Sequence, residues 1–291
     1  MTEDAPRAGV VAILGRPNAG KSTLLNRLLG TKLAIVTPKP QTTRSRILGI
    51  LNRGKAQLLL VDTPGFHESP KTLNRALSAV VEEAVEDCDV AALLVDPAAP
   101  WDAGHDALRD RLAKRGVPLV VVGTKADRGE GAWPPDGARG AAATLRVSAR
   151  TGEGVDALVD ALVGRLPEGP HLYPEDELTD RPLRFLAAEL VREVAFEELA
   201  QEVPYSLAVE IEGFDETRPD GVRIRANLLV ERSSQKPIVL GRGGARIKAI
   251  GSEARRRIAG LLGRPVHLAL WVKVEPRWTR RPKRLKSLGY H

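Results

Sequence analysis

The chain has 291 residues, 43% of them hydrophobic, enough for two domains each with its own buried core. No apolar run approaches the roughly 18–20 residues that a membrane span requires, and residues 1–9 are polar, without a signal-peptide stretch. A lone cysteine, Cys88, excludes an internal disulfide and suits a reducing compartment, so a cytoplasmic protein is expected.

The formal net charge of +7 is unevenly spread. Residues 1–172 hold 22 basic against 20 acidic side chains, residues 173–231 hold 6 against 15, and residues 232–291 hold 16 against 2. The last stretch is a concentrated positive field, suited to a polyanion such as nucleic acid or anionic lipid.

In chain order, short apolar runs occur at residues 10–14, 58–61, 91–95 and 119–122, with a weaker one at 145–147. They are continuous rather than alternating, which predicts strands buried on both faces. Helical spacing fills residues 21–29, 73–85, 106–115 and 155–166. Strands alternating with helices predict an α/β domain with a mostly parallel sheet, whose ligands bind beyond the strands' carboxyl ends. Residues 129–140, rich in Gly, Pro and Ala, read as a surface loop. Pro167, Pro170, Pro174 and Pro182 lie among acidic residues and interrupt regular structure. This places a first domain at 1–170, a linker at 171–182 and a second domain at 183–291.

The second domain reads as a helix over 183–199, half-buried strands over 206–212 and 222–231, and a glycine turn at 241–244 preceded by a short helix within 236–240. A helix to about 262 and a strand over 266–274 follow. In that strand Val266, Leu268, Leu270, Val272 and Val274 share one face. A basic tail closes the chain.

Gly15-Arg16-Pro17-Asn18-Ala19-Gly20-Lys21-Ser22, with Thr23 following, matches the G-x-x-x-x-G-K-[ST] phosphate loop between a strand and a helix. Glycines let backbone N–H groups turn inward around phosphates, and the helix N-terminus adds positive potential. Lys21 would neutralise the β- and γ-phosphates, and the Ser22 hydroxyl would take Mg²⁺. Asp62-Thr63-Pro64-Gly65 follows the second apolar run. Its carboxylate can hold Mg²⁺ through the metal's water shell, and Gly65 can offer its N–H to a γ-phosphate. Thr124-Lys125-Ala126-Asp127 ends the run at 119–122. A carboxylate at Asp127 can accept from both guanine N1–H and N2–H₂, which adenine cannot match, and the Lys125 stem would lie against the base. Ser148-Ala149-Arg150 would set a backbone N–H near guanine O6.

These elements in this order resemble a G domain of the translation-factor class, and the whole chain resembles the bacterial Era GTPases. Gly15-Arg16-Pro17-Asn18, Gln41-Thr42-Thr43-Arg44 and Asp62-Thr63-Pro64-Gly65 carry the likeness in the first half. Tyr173-Pro174-Glu175-Asp176, Thr179-Asp180-Arg181, Leu270-Trp271-Val272-Lys273-Val274 and Leu288-Gly289-Tyr290 continue it. The resemblance implies a P-loop GTPase domain followed by an α+β type II KH domain. It implies that residues 41–44 act as switch I, with a threonine ligating Mg²⁺ in the GTP state. Thr43 is preferred because it directly precedes Arg44, and Thr42 stays open. Residues 65–75 resemble switch II, and Asn18 resembles the loop asparagine that recruits K⁺ in related GTPases. Phe66 stands where Ras-like GTPases carry a water-orienting glutamine, so no catalytic base is assigned and slow intrinsic hydrolysis is expected. Thr124 replaces the usual asparagine, which predicts a weaker tie between the base-binding loop and the phosphate loop.

Gly241-Arg242-Gly243-Gly244 fits the G-x-x-G loop of a KH module, where glycines admit a nucleic-acid backbone to a helix N-terminus. Arg242, Arg246 and Lys248 supply counter-charge, and Lys273, Arg277 and Trp278 extend the expected RNA surface. Trp278 is the favoured stacking residue, whereas Trp271 reads equally well as core. The remaining histidines show no metal-ligand spacing.

By resemblance, the target is the 3′ end of small-subunit ribosomal RNA, and the role is small-subunit assembly. A monomer cycling between GTP and GDP is expected, in peripheral contact with the inner membrane. The rival readings are a membrane-surface regulatory GTPase and an RNA-binding protein with a non-hydrolysing nucleotide site.

Overall fold

A computed structural model describes residues 5–37, 39, 42–66, 72–129, 132–200 and 202–290. The chain opens with β1 (Arg7–Gly15) and α1 (Lys21–Leu29), then β2 (Ile47–Arg53) and β3 (Ala56–Asp62). It continues through α2 (Thr72–Asp87), β4 (Val90–Val95), α3 (Ala103–Lys114), β5 (Leu119–Gly123), β6 (Ala143–Arg146) and α4 (Val155–Val163). The strands form one sheet in the order β2-β3-β1-β4-β5-β6, parallel except for the β2–β3 pair. The continuous apolar runs are its interior: Leu58, Leu60, Val90 and Val120 are all fully buried. Strand order reverses at β1, which has β3 on one side and β4 on the other, so a crevice opens beyond its carboxyl end.

β2 lies outside the strands that the sequence predicts, because Gly49 interrupts its apolar run. That glycine is what lets α1 approach. A Cβ there would lie 2.6 Å from Leu29 Cδ1 and 2.9 Å from Leu25 Cδ1.

The proline-rich stretch expected as a linker is instead tied along the β2–β3 hairpin. Gln57 Oε1 accepts from the N–H groups of Leu172 (2.7 Å) and Tyr173 (2.9 Å). The Ile50 N–H donates to Leu178 O at 2.9 Å, and Asn52 Nδ2 donates to Glu175 O at 3.0 Å. The first compact unit accordingly runs to Asp180.

The second unit comprises α5 (Leu183–Glu198), β7 (Ala208–Asp215), β8 (Val222–Val230), α6 (Gln235–Leu240), α7 (Ala245–Leu262), β9 (Val266–Val274) and α8 (Pro282–Ser287). Its sheet has the order β7-β8-β9, with β7–β8 antiparallel and β8–β9 parallel. Val191 and Val194 of α5 meet Ile224 of β8, Ile250 and Ile258 of α7 and Val266 of β9 in one core. The single face predicted for β9 is present, since Val266 and Val272 are buried and Leu268, Leu270 and Val274 pack on the same core. The basic tail is not free. Leu285 of α8 and Tyr290 are buried, at 2% and 4% exposure.

Candidate nucleotide and RNA sites

The phosphate-loop string closes β1 and caps α1, whose N-cap Gly20 has the left-handed φ of 92°. Asn18 also adopts a positive φ, 63°, a conformation that asparagine tolerates better than most side chains. Lys21 is buried, and its ammonium donates to Gly15 O and Arg16 O, both at 3.0 Å. Burial pushes its pKa down to about 8, opposed by the charge of Asp62.

Three oxygen groups converge beside it. Ser22 Oγ donates to Asp62 Oδ2 at 2.6 Å and lies 2.8 Å from Thr43 Oγ1, which is itself 3.4 Å from Asp62 Oδ2. Asp62 is fully buried, and its Oδ1 has no hydrogen-bond partner among the described residues. Burial pushes this carboxyl up to about 6, against the charge of Lys21 and hydrogen bonds from Ser22, Thr43 and the Thr63 backbone. A buried carboxylate with an orphaned oxygen and two adjacent hydroxyls is a donor set for a hard divalent cation. Thr42 is not part of it. Its hydroxyl donates to Lys39 O at 2.7 Å and pairs with Thr37 Oγ1 at 2.9 Å.

Beyond β5, Lys125 takes a left-handed φ of 58° and donates to Asp96 Oδ2 at 2.7 Å. Asp127 accepts from Ser148 Oγ (2.5 Å) and Arg150 Nε (2.8 Å), which hold its carboxyl down at about 2. Each oxygen keeps a lone pair for a further donor. The Ser148 N–H is committed to Glu153 O at 2.9 Å. Thr124 is buried and directs its hydroxyl to Val95 O at 3.3 Å. Its side chain still packs by the phosphate loop, since a Cβ on Gly20 would lie 3.9 Å from Thr124 Cβ.

Gly65 runs against the phosphate loop so closely that a Cβ would fall 2.5 Å from Pro17 N. The Phe66 N–H donates to Gly15 O at 3.3 Å, and Arg16 Nη1 returns a bond to Phe66 O at 3.2 Å. The Phe66 ring lies 4.5 Å from the Arg16 guanidinium carbon and edge-on to His105 at 5.3 Å. Arg16 is in turn paired with Asp102 at 2.6 Å, and Asp102 caps α3 together with His105. Phe66 is thus fixed by packing.

In the second unit Gly241, Gly243 and Gly244 all have positive φ, at 73°, 58° and 79°. A Cβ on Gly243 or Gly244 would meet nothing within 4 Å, so this turn faces open space at the N-terminus of α7. Arg242 and Lys248 are exposed, while Arg246 donates to Ile238 O at 2.6 Å. Between α7 and β9 lies a groove of about 440 Å³ lined by Ile247, Lys248, Gly251, Arg255, Leu268 and Leu270. Residues 247, 251 and 255 recur every fourth position and so form one helix face, a spacing visible in the sequence but not read there.

A family model described as a 50S ribosome-binding GTPase matches residues 10–125, and a KH domain model matches residues 202–279. GTPase Era of Afipia carboxidovorans is 45% identical over 289 residues, covering 97% of this chain and 94% of that protein. GTPase Era of Azotobacter vinelandii is 45% identical over 300 residues, covering 100% and 99% of the two chains. The chain belongs to the Era GTPase family. An Aquifex aeolicus Era variant bound to GDP·AlF4⁻ superposes with a TM-score of 0.90 at 38% identity, over 98% of this chain and 99% of that one. Era in complex with MgGDPNP and nucleotides 1506–1542 of 16S ribosomal RNA gives the same TM-score, identity and coverage.

Within this Era chain the expected RNA surface divides. Trp278 is fully buried, its indole N–H donates to Ser206 O at 3.1 Å, and its ring centroid is 6.0 Å from that of Tyr290. It is a core residue of the folded tail, not a stacking platform. Trp271 is the exposed one, at 49%. Side chains alternate along β9, so Trp271 and Lys273 share the face opposite Leu268 and Leu270 and do not line the groove. Arg277 is exposed in the turn beyond β9, with a left-handed φ of 56°. Cys88 is buried as expected, which raises its thiol pKa to about 11. No group of three or more His, Cys, Asp or Glu among the described residues could hold a metal, and no helix there is long and apolar enough to cross a membrane.

The sequence reading overlooked the charged residues of α5. Glu189, Arg192 and Glu193 stand at i, i+3 and i+4, and all are buried. Two of them hold described residues from the first half of the chain: Glu193 accepts from Val36 N–H and Arg192 donates to Thr42 O, and both of those residues group with the second unit. Three charges on one helical face are a signal that this face meets polar partners.

Proposed function

We propose that this Era GTPase hydrolyses GTP on Mg²⁺ and uses its nucleotide state to time binding of the 3′ end of small-subunit ribosomal RNA during small-subunit assembly. The observation that carries the proposal is the Ser22–Thr43–Asp62 cluster beside Lys21. It supports a Mg²⁺·triphosphate site whose Thr43 belongs to the segment resembling switch I. When bound, Mg²⁺ supplies charge neutralisation for the β- and γ-phosphate oxygens. Lys21 exchanges its carbonyl partners for phosphate, and backbone N–H groups of the phosphate loop complete the cradle. Asp127 takes the guanine N1–H and N2–H₂, with the N–H of Ala149 or Arg150 at O6. Asn18 is assigned to K⁺. Phe66 offers no hydrogen bond to water, so turnover rests on positioning and remains slow.

The Gly241–Gly244 turn and the adjoining groove suit single-stranded RNA, whose backbone a KH loop clamps over about four nucleotides. The Era relative solved with 16S nucleotides 1506–1542 supports the choice of target. The deciding experiment combines GTP turnover, in Mg²⁺ with and without K⁺, with sequencing of RNA crosslinked to the protein in cells. Turnover and recovery of small-subunit 3′ ends are expected. No turnover, alone or with ribosomal subunits, overturns the enzyme reading. Recovery of anionic lipid without ribosomal RNA would instead support the membrane-surface reading.

A further inference from the structure

In the usual guanine site an asparagine side chain ties the base-binding loop to the phosphate loop, and Thr124 stands in its place here. The Thr124 hydroxyl does not make that tie. It donates to Val95 O at 3.3 Å, and the Thr124 N–H goes to the same carbonyl at 2.9 Å. Lys125 is fastened to Asp96, the Ala126 N–H to Val147 O at 3.1 Å, and Asp127 to Ser148 and Arg150. These bonds lead to the end of β4 or to the chain beyond β6. Among the described residues, no hydrogen bond joins residues 124–127 to residues 15–20.

A different link runs to the helix that the phosphate loop opens. Arg27, in the last turn of α1, donates from Nη2 to Thr151 O at 3.3 Å. The turn it meets has room for it only because of a glycine. Gly152 has a left-handed φ of 93°, and a Cβ there would collide with Arg27 Nη2. The same turn is wired to the base-reading carboxylate. The Thr151 N–H donates to Ser148 Oγ at 3.1 Å, and Ser148 Oγ donates to Asp127 Oδ1 at 2.5 Å. The Gly152 N–H closes the turn on Ser148 O at 2.8 Å. Arg27, Thr151, Ser148 and Asp127 thus form one chain of hydrogen bonds, in which each bond orients the next group. At its other end α1 carries Lys21 and Ser22, and a helix of nine residues is a short, stiff rod. The groups that hold phosphate and the groups that read the base are thereby set at a fixed separation.

We propose that Arg27 is a positioning residue for guanine recognition, which ties the 148–152 turn to the phosphate-loop helix and so performs the task that Thr124 leaves undone. This role rests on the reading of Asp127, with the N–H of Ala149 or Arg150, as the guanine-binding groups. Arg27 acts through the turn and not on the nucleotide. A guanidinium suits that task, because its planar fork lies flat on the backbone of a glycine while one N–H reaches the neighbouring carbonyl. The side chain is exposed, so the bond contributes little to the fold, and its effect falls on where Asp127 points.

The test compares GDP with inosine diphosphate, which lacks the 2-amino group that Asp127 reads, on the full-length chain in Mg²⁺. Affinities are measured for the wild type, Arg27→Met, Arg27→Lys, and Arg27→Met combined with Thr124→Asn. The wild type should prefer GDP by about tenfold, the value of one charge-assisted hydrogen bond. Arg27→Met should cut that preference to about threefold or less, with GDP losing more than inosine diphosphate and the melt staying cooperative. Arg27→Lys, which keeps a donor on a flexible stem, should recover part of the preference. Adding Thr124→Asn to Arg27→Met should restore it to within about twofold of the wild type, because the two ties serve one loop. An Arg27→Met variant that keeps the wild-type preference overturns the proposal. So does an equal loss for both nucleotides, the result expected of a charge acting only on the phosphates. Arg27 is exposed, so its single variants decide the matter even if Thr124→Asn does not fold. A wild type that binds the two nucleotides equally would instead overturn the guanine-site reading itself.

Discussion

The hydroxyl oxygens of Ser22 and Thr43 lie 2.8 Å apart, although 20 residues separate them in the chain, and both address the same oxygen of Asp62. This pairing distinguishes two adjacent threonines that the sequence cannot separate. Thr43→Ala should weaken a GTP analogue in Mg²⁺ by at least about tenfold and leave GDP affinity within about twofold. Thr42→Ala, which removes a hydroxyl engaged by Thr37 and Lys39, should not reproduce that selective loss. Titration of a fluorescent analogue against both variants checks this. Equal losses would reassign the metal-ligating role.

Asp127 carries the base specificity in the proposed site. With Asp127→Asn the amide can accept only one of the two guanine donors and must present its own N–H₂ to the other. Two charge-assisted hydrogen bonds at about 1.5 kcal/mol each amount to roughly a 100-fold loss of GTP affinity. Xanthosine triphosphate, with a carbonyl in place of the 2-amino group, should gain by a similar factor. Competition binding with the two nucleotides measures the exchange, and an unchanged guanine preference would refute the assignment.

Two groups of opposite charge set the pH dependence. Lys21, pushed down to about 8 by burial, loses its proton as pH rises, whereas a bound triphosphate favours the ammonium. Nucleotide affinity should therefore fall as pH rises through about 8, with proton uptake on binding. Asp62, pushed up to about 6 by burial, must be ionised to hold Mg²⁺. The Mg²⁺-dependent part of the affinity should fall as pH drops through about 6, with proton release on binding. Calorimetry in buffers of different ionisation enthalpy would read both signs.

Trp278 and Trp271 exchange the roles expected from sequence. Trp278→Ala should cost about 3–5 kcal/mol, as removal of a fully buried large aromatic does. Trp271→Ala should stay within about 0.5 kcal/mol of wild type. Chemical denaturation of the two variants gives the comparison directly. A small effect for Trp278 would mean that the tail is not part of the core.

Much of the fold was legible because burial on both faces leaves a plain mark. The runs at 58–61, 91–95 and 119–122 have no polar interruption, and all three are interior strands. β2 was not legible, because Gly49 signals a loop until α1 is seen against it. The phosphate loop, Asp62 and Asp127 were legible as motifs, since each lies at the carboxyl end of a strand. The contacts of Val36, Lys39 and Thr42 with α5 were not, because no local periodicity records a contact made some 150 residues later in the chain. The two tryptophans show the limit of composition: both stand among cations, and only the fold of α8 and Tyr290 decides which is covered.

The acidic, proline-rich stretch up to Asp180 has a consequence for where this chain can be cut. β2 is an outer strand of the large sheet, and Leu178 O takes up its Ile50 N–H. Ending the first half at Pro170 would strip that cover and leave the Ile50 N–H without its acceptor on a Leu- and Ile-rich edge strand, the kind of edge that can pair with another copy. Ending it at Asp180 keeps the strand guarded. The stretch that looks most dispensable in the sequence is thus part of the edge of the large sheet.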